Sequence, residues 1–181
     1  MKWDLASTKR RFLSFFLQRF ENILIQEGHK IDEIKCVLAN FNGEFYTKRL
    51  ILDAIKGFRG KEEFKKVVEL YKRIDNILTQ AKNKGFLLDI KIREDLLLTE
   101  PEKALYYKTK ELSEKADHLW VTKRFDMIIK EFSDLKPTLD HFFDKVLVFD
   151  KDKDVATNRL AILNYLLTIF KRIGSFDNIQ L

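Results

Sequence analysis

The sequence predicts an all-α protein, and three observations carry that expectation. Only six glycines and two prolines interrupt 181 residues. Lys, Glu, Leu and Ile are abundant. Over long stretches the apolar residues recur at three- and four-residue spacing, the period of an amphipathic helix. A chain of this length forms one domain or a compact pair and buries a substantial core.

The elements follow in order. In "STKRRFLSFFLQRFENILIQEG", Phe12, Phe16, Phe20, Ile23 and Leu24 make an apolar stripe, with Ser7 or Thr8 as the cap and Gly28 as the stop. Lys9-Arg10-Arg11 makes this a basic amphipathic helix, suited to a membrane surface, a partner groove or, the preferred reading, the first position in a bundle. Shorter helices fit residues 31–39 and 44–56. Residues 61–83 form the clearest two-sided helix. Phe64, Val67, Val68, Tyr71, Ile74 and Leu78 face inward, and Lys65, Lys72, Arg73, Asn76 and Lys82 lie on or near the outward arc. Glu62–Lys66 and Glu69–Arg73 are spaced to pair along it.

Gly85 ends that helix, and "FLLDIKIRE" alternates enough to suggest a short extended connector. Thr99-Glu100-Pro101-Glu102 combines a cap, an early proline and early acids, the signature of a helix entrance. Helices are expected at about 101–116, 121–134, 137–148 and 155–173, the last apolar over much of its circumference.

Charge and composition narrow the function. The net charge is +6, unevenly placed: residues 1–84 hold 18 Lys/Arg against 11 Asp/Glu, giving +7, and residues 85–181 hold 16 against 17, giving −1. A basic half joined to a near-neutral half suits a polyanion-facing region beside a structural one, and is also compatible with an ordinary lysine-rich surface. One cysteine excludes an intramolecular disulfide framework and fits a reducing cytoplasm. No apolar run approaches the roughly 20 residues of a membrane span, and "FLSFFL" is too short for a signal-peptide core. The expectation is a soluble cytoplasmic protein, or part of one, with no membrane partner.

No catalytic motif stands out. The chain lacks a Walker loop, a G-x-G-x-x-G and a paired Cys/His zinc spacing. Asp150, Asp152 and Asp154 alternate like the start of a calcium loop. Its sixth and twelfth positions, however, are Val155 and Ala161 where Gly and Glu belong, so the run reads as helix punctuation with Asp154 as a cap. His29, His118 and His141 are isolated and read as surface or cap residues. Gly57-Phe58-Arg59-Gly60 matches a nucleotide-clamping loop that needs a sheet, so it reads as a turn. Cys36 reads as an inert buried thiol. No catalytic residue, metal site or cofactor is therefore assigned to this chain.

What remains is a basic helical half with Lys, Arg and Asn projecting from one helix. Lys and Arg neutralise phosphates, Arg and Asn also read base edges, and Tyr46 or Phe45 can stack on splayed bases, although Phe45 suits the core. The candidate RNA-binding residues are Lys72, Arg73 and Asn76, then Arg49, Lys56 and Lys82. The rival is a helical scaffold for subunit or protein association, with an apolar or mixed working surface.

Four segments in order resemble the C-terminal region of the bacterial glycyl-tRNA synthetase β subunit: "FLSFFLQRFENILIQEGHKIDEIKCVLA", "YKRIDNIL", "LLLTEPEKALYYK" and "LKPTLDHFFDKVLVFDKDKDVATNRLAIL". Together they reach across nearly the whole chain. The resemblance implies a DALR-like anticodon-binding helical bundle, with residues 1–84 as its basic part and residues 85–181 packed against it. It also implies that the chain corresponds to the C-terminal part of a longer subunit. The implied partners are the tRNA-Gly anticodon stem-loop, the remainder of the β subunit and the α subunit. ATP with Mg is used through the α subunit. Asn158 and Arg159, at the start of the last helix, either face RNA or lock the preceding turn to a neighbouring helix.

Overall fold

The computed structural model describes residues 5–41 and 43–181, with side chains from residue 11 onward. Eight α-helices are present among them: α1 (Leu5–Gln26), α2 (Ile31–Leu38), α3 (Phe45–Phe58), α4 (Glu62–Asn83), α5 (Glu100–Val121), α6 (Phe125–Asp134), α7 (Lys136–Lys145) and α8 (Lys153–Ile173). No strand occurs among the described residues, and the 86–93 connector runs without regular structure into a short 3-10 turn, Glu94–Leu96.

α4 and α8 are the central pair. Tyr71 of α4 meets Phe170 of α8, and Phe64 near the start of α4 meets Phe176 just beyond α8, so the two helices run antiparallel. α6 packs on α3, α4 and α5, and Phe132 stacks on Phe170 with ring centroids 4.0 Å apart. One buried apolar cluster therefore joins residues of both halves of the chain. Thirteen of the 21 residues of α8 are buried, as its all-round apolar sequence requires.

Several boundaries differ from the sequence expectation, each for a local reason. α1 already contains Ser7 and Thr8, so neither caps it, whereas Gly28 does end its turn at φ +83°. α5 continues to Val121 and α6 starts at Phe125. The break sits at Lys123, whose φ of 59° no helix tolerates. α7 stops at Lys145. Asp152, not Asp154, caps α8, its carboxylate accepting from the Asp154 and Val155 amides at 2.8 and 3.3 Å.

The C-terminal segment folds back over α2 and α4. Gly174 lies so close to α2 that a Cβ would sit 2.6 Å from Cys36 Sγ, and the Ser175 amide donates to the Cys36 carbonyl at 2.9 Å. Cys36 is fully buried, and burial pushes its thiol well above the usual range, as an inert core residue requires. Asp32 of α2 accepts from the Gln180 amide at 3.0 Å and from both ends of the Arg59 guanidinium. Phe176 and Ile179 are buried beneath. His29, expected as a surface or cap residue, is buried, with its amide closing the end of α1 on the Leu24 carbonyl at 3.0 Å and its Nε2 3.4 Å from Asp53. His118 and His141 are exposed.

Asn158 and Arg159 lock the fold. Asn158 donates to the Arg93 carbonyl at 3.0 Å and accepts from the Arg93 amide at 2.7 Å, lashing the connector to α8. Arg159 pairs with Glu102 at the start of α5, with Asp150 at 2.6 Å and with the Leu147 carbonyl at 2.9 Å. Glu102 is completely buried and Arg159 is 6 % exposed, so neither side chain faces solvent. Glu102 also accepts from the Thr99 amide at 2.6 Å and so closes the entrance of α5.

Candidate nucleic-acid interface

α4 presents the candidate surface because its two faces are so sharply divided. Phe64, Val67, Val68, Tyr71, Ile74, Leu78 and Ala81 are buried. On the opposite side Arg73, Asn76, Gln80 and Asn83 follow one another at spacings of three, four and three residues, which stacks them in a single exposed row.

The structure gives the six candidate residues different surroundings. Lys72 is half-buried and its Nζ donates to the Ile179 carbonyl at 2.9 Å, holding the C-terminal segment. Arg73 pairs with Asp140 of α7 at 3.0 Å, and its guanidinium lies 4.1 Å from the centre of the Phe143 ring. Glu69, placed by spacing to pair with Arg73, instead meets Lys136 of α7 at 3.9 Å, and Lys136 shares Asp140 at 3.0 Å. Asn76 is exposed, with no hydrogen-bond partner among the described residues. Arg49 and Lys56 sit together on α3, away from this row. Arg49 meets the Glu27 carboxylate at 2.7 Å and Lys56 the Glu27 carbonyl at 3.0 Å, so both fasten the end of α1. Lys82 is exposed and unpaired among the described residues, but it lies about 120° round α4 from Asn76.

The row leads into a pocket that sequence spacing does not reveal. Where α4 ends and α8 begins, Lys84, Gly85, Phe86, Leu87, Lys153 and Thr157 line a cavity of about 300 Å³. Lys84 rests over the Phe149 ring with Nζ 4.0 Å from its centre, and Leu87 is 90 % exposed. Gln80 and Asn83 were detectable in the sequence by extending the Asn76 row. The meeting of Lys84 with Lys153 depends on the antiparallel α4–α8 packing and leaves no local signal. Tyr46 is 70 % exposed on α3, while Phe45 packs edge-on against Phe20 with centroids 5.0 Å apart.

Chemically the row offers what single-stranded RNA recognition needs. Each side-chain amide carries both a donor and an acceptor for a base edge. Arg73, already oriented by Asp140 and Phe143, supplies charge beside it, and the lysines at the far end can take phosphates. Among the described residues no cluster of His, Cys, Asp and Glu is arranged to hold a metal ion.

The exposed amides and cations of α4 make it a candidate binding surface. The model of the DALR anticodon binding domain matches residues 67–176, from the second turn of α4 to the end of the bundle. This chain belongs to that family. It is 31% identical over 167 residues to the glycine–tRNA ligase beta subunit of Sulfurihydrogenibium sp. (strain YO3AOP1), covering 92% of this chain and 24% of the relative. The corresponding subunits of Proteus mirabilis and Acidobacterium capsulatum are 30% and 29% identical, over 93% and 97% of this chain. The chain spans about a quarter of the length of the curated relatives it matches.

Proposed function

We propose that this chain is the tRNA-reading part of a glycine–tRNA ligase β subunit and that it grips the anticodon stem-loop of tRNA-Gly along the outer row of α4. The observation that carries the reading is the family match, which runs from residue 67 within α4 through α8 and so includes the whole of that row. Asn76, with Gln80 and Asn83 beside it, contacts exposed bases. Arg73 and Lys72 flank the same arc, Lys84 and Lys153 take backbone phosphates at its end, and Lys82 takes one from the adjoining side of α4. Arg49 and Lys56 act on a separate surface, where their cations lie beside the Glu27 turn.

In this reading the chemistry of joining glycine to tRNA takes place elsewhere, on an α subunit that uses ATP and Mg, and this chain contributes recognition. The enzyme works in the cytoplasm; no helix among the described residues is long and apolar enough to cross a membrane. The test is the salt dependence of tRNA-Gly binding for the Lys82→Ala/Lys84→Ala variant. Each lost phosphate contact lowers the slope of log K against log salt by about 1. An unchanged slope removes these lysines from the interface.

A further inference from the structure

The first helix carries an apolar face that the bundle does not cover. From residue 11 to residue 26 only Leu24 is buried, and Leu17 and Phe20 are half-buried. Phe12 is 65 % exposed, Phe15 54 %, and Phe16 and Ile23 47 % each. Phe12 and Phe16 lie with centroids 5.5 Å apart and share an arc with Ile23, and Arg19 stands in the same arc with its guanidinium 5.6 Å from the centre of the Phe15 ring. The sequence stripe is real, but among the described residues the helix is held near its end, by Phe20 on Phe45 and by Arg49 and Lys56 on Glu27. Single exposed apolar residues are ordinary, whereas a row of phenylalanines marks a surface that something covers. A helix of this length also gains most of its stability from packing one face.

We propose that this face of α1 is the docking surface by which the domain seats on the remaining three-quarters of a synthetase β-subunit polypeptide. The inference rests on the synthetase reading above. Its support is the length of the relatives: two of them align over 97% and 99% of this chain, α1 included, yet this chain accounts for only 26% and 27% of them. The counterpart of α1 in those subunits has a large polypeptide to pack against. Charge disfavours a second copy of this chain, because the sequence of α1 holds four basic residues, Lys9, Arg10, Arg11 and Arg19, against one acidic residue, Glu21, and two copies would bring an excess of like charge together. The partner surface is therefore an apolar groove with acidic groups that meet Arg19 among the phenylalanines and Arg11 at the edge.

The test mixes this chain with the Sulfurihydrogenibium β subunit shortened by the quarter that this chain matches, and reads complex formation by calorimetry and light scattering. The Phe12→Ser/Phe16→Ser variant is measured alongside, with tRNA-Gly binding and helix content as controls. The expected result is a one-to-one complex, weakened roughly tenfold or more in the variant, with tRNA binding and helicity unchanged. Absence of a complex, or equal binding by the variant, overturns the docking. So does a wild-type dimer that the variant abolishes, or transfer of the wild-type chain to anionic phosphatidylglycerol vesicles. If tRNA binding persists without a complex, only the docking fails; if both are absent, the synthetase reading fails with it.

Discussion

The first turns of α8 and the outer row of α4 contain the same kinds of residue and use them in opposite ways. At α8, Asn158 and Arg159 are buried and fully engaged with Arg93, Glu102, Asp150 and Leu147. On α4, Asn76 is exposed and without a partner among the described residues, and Arg73, although paired to Asp140, keeps 44% of its side chain in solvent. An Asn–Arg combination is therefore not an RNA-binding signal in itself. The neighbours decide: a buried carboxylate at Glu102 makes one arginine part of the core, and open solvent leaves the other beside a readable surface.

That contrast is broken most severely at Arg159. Replacing it by Ala leaves Glu102 buried without its cation, and the expected loss is about 3–5 kcal/mol, enough to threaten folding of the domain. Urea unfolding measures it, and a loss under about 1 kcal/mol, the range of an exposed pair, means that the network is not stabilising.

A smaller effect is expected at the C-terminal segment, where Asp32 receives Arg59 and the Gln180 amide. Burial raises the Asp32 pKa, but hydrogen bonds from the Arg59 guanidinium and the Gln180 and Glu33 amides outweigh it, so the carboxyl ionises below its usual range. A depressed folded pKa stabilises above the ordinary carboxylate value and loses that stabilisation as pH falls through the lower folded value. Asp32→Asn should cost about 1–2 kcal/mol at neutral pH and flatten the acid side of the stability profile. Wild-type and variant curves that keep the same separation at every pH contradict that role.

The helix order was legible in the sequence because α4 is strongly periodic, because α8 is a long, largely apolar run, and because Gly28, Gly85 and the Thr99–Glu102 entrance punctuate it. What was hidden depended on tertiary partners. Glu69 and Arg73 are spaced to pair with each other, yet each takes a partner on α7, since helix packing brings Lys136 and Asp140 within reach. His29 looked like a surface residue because no period marks a turn that folds beneath α3. Lys72 looked free because its acceptor, Ile179, is 107 residues away. The α1 stripe was read correctly as apolar, but periodicity does not distinguish a face already covered from one awaiting a partner.

The smallest effect on the fold and the most direct on function is expected at Asn76 and Gln80. Both are exposed, so Asn76→Ala/Gln80→Ala should change stability by no more than about 0.5 kcal/mol. The decisive measurement is the affinity of wild-type chain and this variant for tRNA-Gly and for the same tRNA with altered anticodon bases, at two salt concentrations. The wild-type chain should prefer the glycine anticodon, and the variant should lose about 1–3 kcal/mol of that preference while keeping its salt-dependent grip. Discrimination retained in full by the variant would contradict the assignment of base reading to the α4 row.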